Sequence, residues 1–206
     1  SIMRPLKVAV IGLGRFGRAL VESLTAGGAE VLAIDSDMQN VEAVKDTAAY
    51  AVRMDATDAT ALKGQGLAEV DIAVVAIGSD FESLVLTVQE LLSLGTPRIY
   101  ARAMSPTHRR VLDKLGIDGV ISPQEEAAQR FAYTLVRPGL VDFLRLTDEY
   151  QIAEIEAPAG LIGRALADLD LVRRHRVNVV TIRRSQGGRT EVIGVPTAST
   201  TIVEGD

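Results

Sequence analysis

The chain has 206 residues, 47% of them hydrophobic, with 22 Lys and Arg against 27 Asp and Glu and a net charge of −5. Zero cysteines exclude a disulfide scaffold and every thiolate metal site, and the acidic balance argues against nucleic acid as the main partner. The two histidines, His108 and His175, lie outside any H-E-x-x-H frame, and no apolar run reaches the roughly 18 residues of a membrane span. No metal site and no direct membrane insertion are therefore expected. The start carries no signal-peptide pattern, so the expected location is cytosolic, with any membrane role passing through a partner. Ser1-Ile2 ahead of Met3 reads as a remnant of cloning.

The first strand is KVAVIG, Lys7–Gly12, a short β-branched run of the fully buried, parallel kind. A helix is predicted from Gly14 to Leu24, stopped by Gly27-Gly28. Val31–Asp35 is the second strand, and Asp37 is placed to cap a helix through Val41 and Val44. Tyr50–Met54 follows as the third strand, with Asp58 before a short helix ending near Gly66. Asp71–Gly78 is the fourth and most apolar strand, and a long helix from about Asp80 to Leu94 ends at Gly95 and Pro97. Arg98–Arg102 reads as strand, Ser105–Leu115 as helix and Gly119–Ser122 as a short strand. Strands alternating with helices predict a parallel sheet covered on both faces, and six strands match two mononucleotide-binding halves. A flavodoxin-like sheet is the alternative.

Beyond Ser122 the pattern changes. Pro123–Leu135 is another helix, Pro138-Gly139 breaks it, and Leu140–Leu146 reads as an amphipathic connector. Apolar positions Ile152 and Ile155 restart a strand pattern, and LIGRALADLDL reads as one helix. Val177–Arg184 is a strand, Gly187-Gly188 a hairpin turn and TEVIGVP the returning strand. The expected fold class is α/β: a Rossmann-like doubly wound parallel sheet over residues 1–136, a connector helix over 137–147 and a small α+β lobe over 148–206. That lobe looks unfinished at STTIVEGD, as if truncated.

Gly12, Gly14 and Gly17 form G-x-G-x-x-G between the first strand and the first helix. Gly12 is read as serving the tight turn, Gly14 the approach of phosphate, and Gly17 the packing of helix on sheet. The helix start then offers free N–H groups and a partial positive charge to an anion. Asp35 ends the second strand 23 positions after Gly12, where an acid holds both ribose hydroxyls. Its carboxylate repels a 2′-phosphate but does not separate NAD from ATP, ADP or AMP. Arg15, inside the loop, either neutralises a terminal phosphate or is simply solvated. With no GK dipeptide, the chain is not a P-loop ATPase. The other strand ends, Asp55-Ala56-Thr57, Ile77-Gly78-Ser79 and Arg102-Ala103, line the same crevice in this reading. Arg102 is a second phosphate ligand or a surface cation. Asp55 accepts from an adenine amino group or caps the next helix. Phe16, Ser36 and Ala76 complete the candidate set.

Catalytic pairs are scarce. His175 lies among cations, and Glu125-Glu126 and Asp148-Glu149 are helix neighbours that do not face each other. Arg173, Arg174, Arg176, Arg183 and Arg184 gather around one strand, as a wet edge or as a site for a phosphate-bearing ligand at a subunit interface.

VAVIGLGRFG, VLAID, DATD, VVAIG, ARA and VISP, in this order, closely resemble the RCK/KTN (TrkA-type) family, and LTDEYQIAEIEAP and LADLDL before NVVTIRR resemble its C-terminal lobe. GRFG with this pair of domains is most similar to the cytosolic regulatory subunits of Ktr-type potassium uptake. The resemblance implies a non-enzyme: an octameric ring of dimers docked under a membrane-embedded potassium-translocating subunit, with ATP and ADP competing for the glycine-loop site. It places Arg15 at the γ-phosphate, Asp35 at the ribose and Arg102 at the phosphates. Asp55, Thr57 and the Ile77-Gly78 backbone surround the adenosine, and the segment after LVRPG is a crossover helix between subunits. Some relatives bind cyclic di-AMP in the C-terminal lobe. Two departures stand out. Gln124 occupies a position that is often a metal-binding glutamate, with Glu125 next, so the metal site is not carried over. Val172 stands where many relatives have arginine, although Asn178 and the nearby arginines keep the cyclic di-AMP pattern in part. NAD as ligand, in a small NAD-dependent oxidoreductase, is the alternative reading.

Overall fold

All six strands expected before Ser122 form and pair in parallel. In the computed structural model, which describes residues 3–206, the order is β1 (Lys7–Ile11), α1 (Arg15–Ala26), β2 (Glu30–Asp35), α2 (Met38–Val44), β3 (Tyr50–Arg53) and α3 (Ala59–Gly64). Then come β4 (Ile72–Val75), α4 (Phe81–Leu94), β5 (Ile99–Arg102), α5 (Pro106–Leu112) and β6 (Gly119–Ile121). Ser1 and Ile2, read above as a cloning remnant, lie outside the described residues. The sheet order is β3-β2-β1-β4-β5-β6, so the winding reverses between β1 and β4.

β1 is central and buried on both faces. Ala9 and Ile11 point into one core with Ile34, Val75, Leu84 and Leu91; Val8 and Val10 point into the other with Val21, Val31 and Val41. Side chains alternate along a strand, so a continuous apolar run feeds two cores at once. The helices start where short polar side chains take up free N–H groups. Asp37 accepts from Gln39, Asp58 from Thr60 and Ala61, Asp80 from Ser83, and Ser105 from His108. Gly95 ends α4 in the left-handed conformation. β4 ends before its apolar run does: Ala76 still donates to the Ile11 carbonyl, and its carbonyl and the Ile77 nitrogen pass close against Gly12. α5 ends at Leu112, where a turn takes over and Leu115 donates to the Leu112 carbonyl.

The chain divides into two compact units, the first running to Glu126 and the second from Ala127 to Asp206, a division inside α6 (Pro123–Leu135). The second unit corrects three expectations. Leu140–Leu146 is no connector helix: β7 (Leu140–Arg145) pairs antiparallel with β8 (Gln151–Ile155), and the Thr147 hydroxyl closes the turn by accepting from Glu149 and Tyr150. Its apolar residues fall on both sides because neither face of this two-stranded ribbon is fully covered. LIGRALADLDL is broken into a 3₁₀ turn (Ala159–Leu161), α7 (Leu166–Leu169) and α8 (Leu171–His175), with Gly163 and Asp170 at positive φ between them. β9 (Ile182–Gln186) starts later than Val177 and turns through Gly187-Gly188, both at positive φ, into β10 (Arg189–Ile193). The final segment makes a single bridge, Thr201 to Ala165.

Candidate functional site

The glycine loop fills the gap between β1 and α1, and each glycine has a measurable reason. Gly12 sits at φ +98°, and a Cβ there would lie 2.6 Å from the Ile77 nitrogen. A Cβ on Gly17 would lie 1.8 Å from the Gly12 carbonyl oxygen, so α1 packs on the loop itself more tightly than on the sheet. A Cβ on Gly14 would meet nothing within 4 Å. Turn, packing and open approach are thus divided among the three glycines. Gly14 is also the N-cap of α1 and offers no side-chain acceptor, so the first N–H groups of a 12-residue helix face the crevice uncapped.

Asp35, at the end of β2, reaches back to this loop. Its Oδ2 accepts the Leu13 N–H at 2.7 Å and the Asn40 amide at 3.3 Å, and its Oδ1 accepts the Asp37 N–H at 2.8 Å. A carboxylate has about four lone-pair sites, so capacity for a further donor remains. Ser36 beside it is exposed, and its carbonyl accepts from Arg53. Asp55 accepts both the hydroxyl (2.7 Å) and the N–H (2.9 Å) of Thr57, and these two bonds hold its carboxyl below the usual range. It does not cap α3; Asp58 does. Ala56 and Ala76 are buried.

Arg102 is the least expected group. It is only 8% exposed, which rules out a surface cation. Its Nε has no hydrogen-bond partner, and none of the ion pairs seen among the described residues includes it. The guanidinium carbon stands 5.3 Å from the centroid of the Phe16 ring, and one terminal nitrogen lies 3.5 Å from where a Gly78 Cβ would sit. A buried cation without a counter-charge is costly and is a place for an anion. The structure thus brings Phe16, Gly78 and Arg102 together beside the glycine loop. Arg15 is exposed at the first position of α1. The sequence carried no signal for the Phe16–Arg102 contact, nor for the stack of Phe81 on His108 (centroids 3.8 Å apart, planes at 9°), which joins the first turns of α4 and α5.

Three of the five C-terminal arginines are engaged with carboxylates: Arg173 with Asp170 (3.0 Å), Arg183 with Glu154, and Arg184 with Asp206 (2.7 Å). Among the described residues no group of three or more His, Asp or Glu is arranged to hold a metal, and no helix is long and apolar enough to cross a membrane.

A doubly wound parallel sheet with a glycine loop at its reversal point, an acid ending β2 and a buried arginine ending β5 is a Rossmann-like nucleotide-binding domain. Residues 8–123 match the TrkA-N domain, and the chain belongs to this TrkA-N (RCK) family. It is 37% identical to Ktr system potassium uptake protein C of Bacillus subtilis (strain 168), over 96% of this chain and 88% of that protein. Ktr system potassium uptake protein A of the same organism is 33% identical over 85% of this chain and 79% of its own length. The GsuK channel bound to NAD shares the fold over all of this chain and 37% of its own, with a TM-score of 0.65 at 16% identity. GsuK bound to ADP matches 62% of this chain and 34% of its own, with a TM-score of 0.53 at 17% identity.

Proposed function

We propose that this chain is a nucleotide-sensing regulatory subunit of a membrane potassium-transport system, and that ATP and ADP compete for its glycine-loop crevice. The observation that carries the reading is the buried, unpaired Arg102 beside an open Gly14 and an uncapped helix start. A cationic side chain, a positive helix start and an open glycine come together around one loop, which suits a di- or triphosphate. In this reading Asp35 takes the ribose, Asp55, Thr57 and the Ile77-Gly78 backbone surround the adenosine, Arg102 meets an inner phosphate and Arg15 the terminal one. The kinship with potassium uptake proteins supplies the physiological setting. The chain works at the cytosolic face of the membrane, as a homo-oligomer docked on a translocating partner, and it is not an enzyme. NAD fits the same ribose site and is the competing ligand.

A ligand shifts a conformational equilibrium only through unequal affinity for its states. ATP and ADP differ in one phosphate, so the shift must originate at a group that senses it. Calorimetry with ATP, ADP, NAD and NADP tests the site: ATP and ADP are expected to bind more tightly than NADP, and equal or tighter NADP binding overturns the role of Asp35. Potassium flux through vesicles that carry the transport partner tests the regulation. Flux that is indifferent to an exchange of ATP for ADP overturns it.

A further inference from the structure

We infer that Phe16 is a positioning residue for phosphate recognition, holding the Arg102 guanidinium in place by its flat face while leaving the donors free. The inference rests on the nucleotide reading above and deepens it. An arginine is usually fixed by a carboxylate, which consumes its N–H groups and cancels its charge. Arg102 is fixed otherwise. Its side chain is buried, its Nε is unpartnered, and its guanidinium carbon lies 5.3 Å from the Phe16 ring centroid. A ring attracts a cation through its π-face, whereas the five guanidinium donors point outward in their own plane. The contact therefore orients the group without using up a donor. Phe16 is the second residue of α1, directly after Arg15, so the same turn that presents the helix N–H groups also carries the ring. Gly78 borders the same group: a terminal guanidinium nitrogen lies 3.5 Å from where its Cβ would sit, at ordinary contact distance.

The test is a double-mutant cycle read by ADP and adenosine binding. Phe16→Leu is expected to weaken ADP roughly three- to thirty-fold, the range of a partly to fully desolvated cation–π contact. Adenosine affinity stays unchanged, and Phe16→Tyr restores ADP. On an Arg102→Ala background, Phe16→Leu is expected to have no further effect on ADP. Phe16→Met replaces Phe16→Leu if the latter does not fold. Equal losses of ADP and adenosine, or the same loss with and without Arg102, overturn the inference, since the ring then only packs the loop. Failure of the unaltered protein to bind ADP overturns the nucleotide reading and this inference with it. Normal ADP binding with an additive cycle overturns the inference alone.

Discussion

At Gly17 an added methyl group meets the Gly12 carbonyl oxygen at 1.8 Å, and that oxygen is backbone, not a flexible side-chain tip. Gly17→Ala must push α1 off the loop, at a cost of about 1–3 kcal/mol or more. At Gly14, with nothing within 4 Å, alanine meets no clash and costs only its poorer N-cap preference, about 1 kcal/mol. Urea unfolding of the two variants should separate them, and equal midpoints would show that the tight contact relaxes freely. Arg15 raises a different question. A charge-assisted contact contributes about 1.5–3 kcal/mol, or roughly 10- to 150-fold in affinity. Arg15→Ala is therefore expected to weaken ATP by that factor, with ADP much less affected and AMP hardly changed. An unchanged ATP/ADP ratio by calorimetry would place the sensor of the last phosphate elsewhere. The turn and packing roles of Gly12 and Gly17, and the placement of Asp35 beside the loop, were readable because a local spacing encodes them. The state of Arg102 was not. Its burial depends on a ring contributed by α1, far away in the chain, and no local pattern reports such a pairing.

Among the elements, the segment before β1 is tied to the start of β4 by one carboxylate. Asp71 accepts two bonds from Arg4, at 2.7 and 2.9 Å, and the Lys7 N–H at 2.8 Å. The Arg4 hydrogen bond, the Lys7 N–H and their charges hold the Asp71 carboxyl at about 2. The unfolded value is about 3.9, so the folded state binds fewer protons in that window. The contribution is complete above about pH 4 and is lost as pH falls towards 2. Asp71→Asn is thus expected to lower the urea midpoint at pH 7, by a gap that closes between about pH 4 and pH 2. A pH-independent gap would assign the loss to something other than the charge. The Arg4 side chain is 66% exposed, so salt should shrink the gap too. Elements of the first unit were legible because a buried parallel strand is one unbroken apolar run. β7 was not, because LVDFLR satisfies a helical and an extended pattern equally well. The Thr147 turn and pairing with β8 decide between them.

Over the whole molecule the apolar burial is uneven. The first unit packs two cores on either side of its sheet, whereas the only hydrophobic residues fully buried in the second, among those described, are Leu169, Ile182 and Ile202. So small a core leaves an 80-residue unit short of stabilisation on its own. Phe131, Leu135, Val136, Leu144 and Leu146 are meanwhile 58–72% exposed. Apolar surface on this scale calls for a covering partner. The protein is expected to be a dimer or larger at micromolar concentration by light scattering, and Val136→Asp combined with Leu144→Asp should shift it towards monomer while sparing ADP binding. A clean monomer before any substitution would refute this. Self-association was suggested by the apolar residues of 140–146 and by the family resemblance; the exposed Phe131 and Leu135 of α6 came into view only with the structure.

Asp35 has a consequence for how such a protein can change. The carboxylate proposed to hold the ribose also accepts the N–H of Leu13, a residue with no solvent exposure. Replacing it with a side chain that carries no acceptor, to admit a 2′-phosphate, strips that buried N–H of its bond, at about 1–3 kcal/mol, in the same stroke. If Asp35 holds the ribose as proposed, ligand preference and loop shape are inherited together here. A lineage drifting towards NADP, or an engineer aiming there, needs a substitute acceptor for Leu13 first. On the proposed role of Asp35, a one-step exchange that removes the acceptor is expected to leave a loop that holds neither nucleotide well.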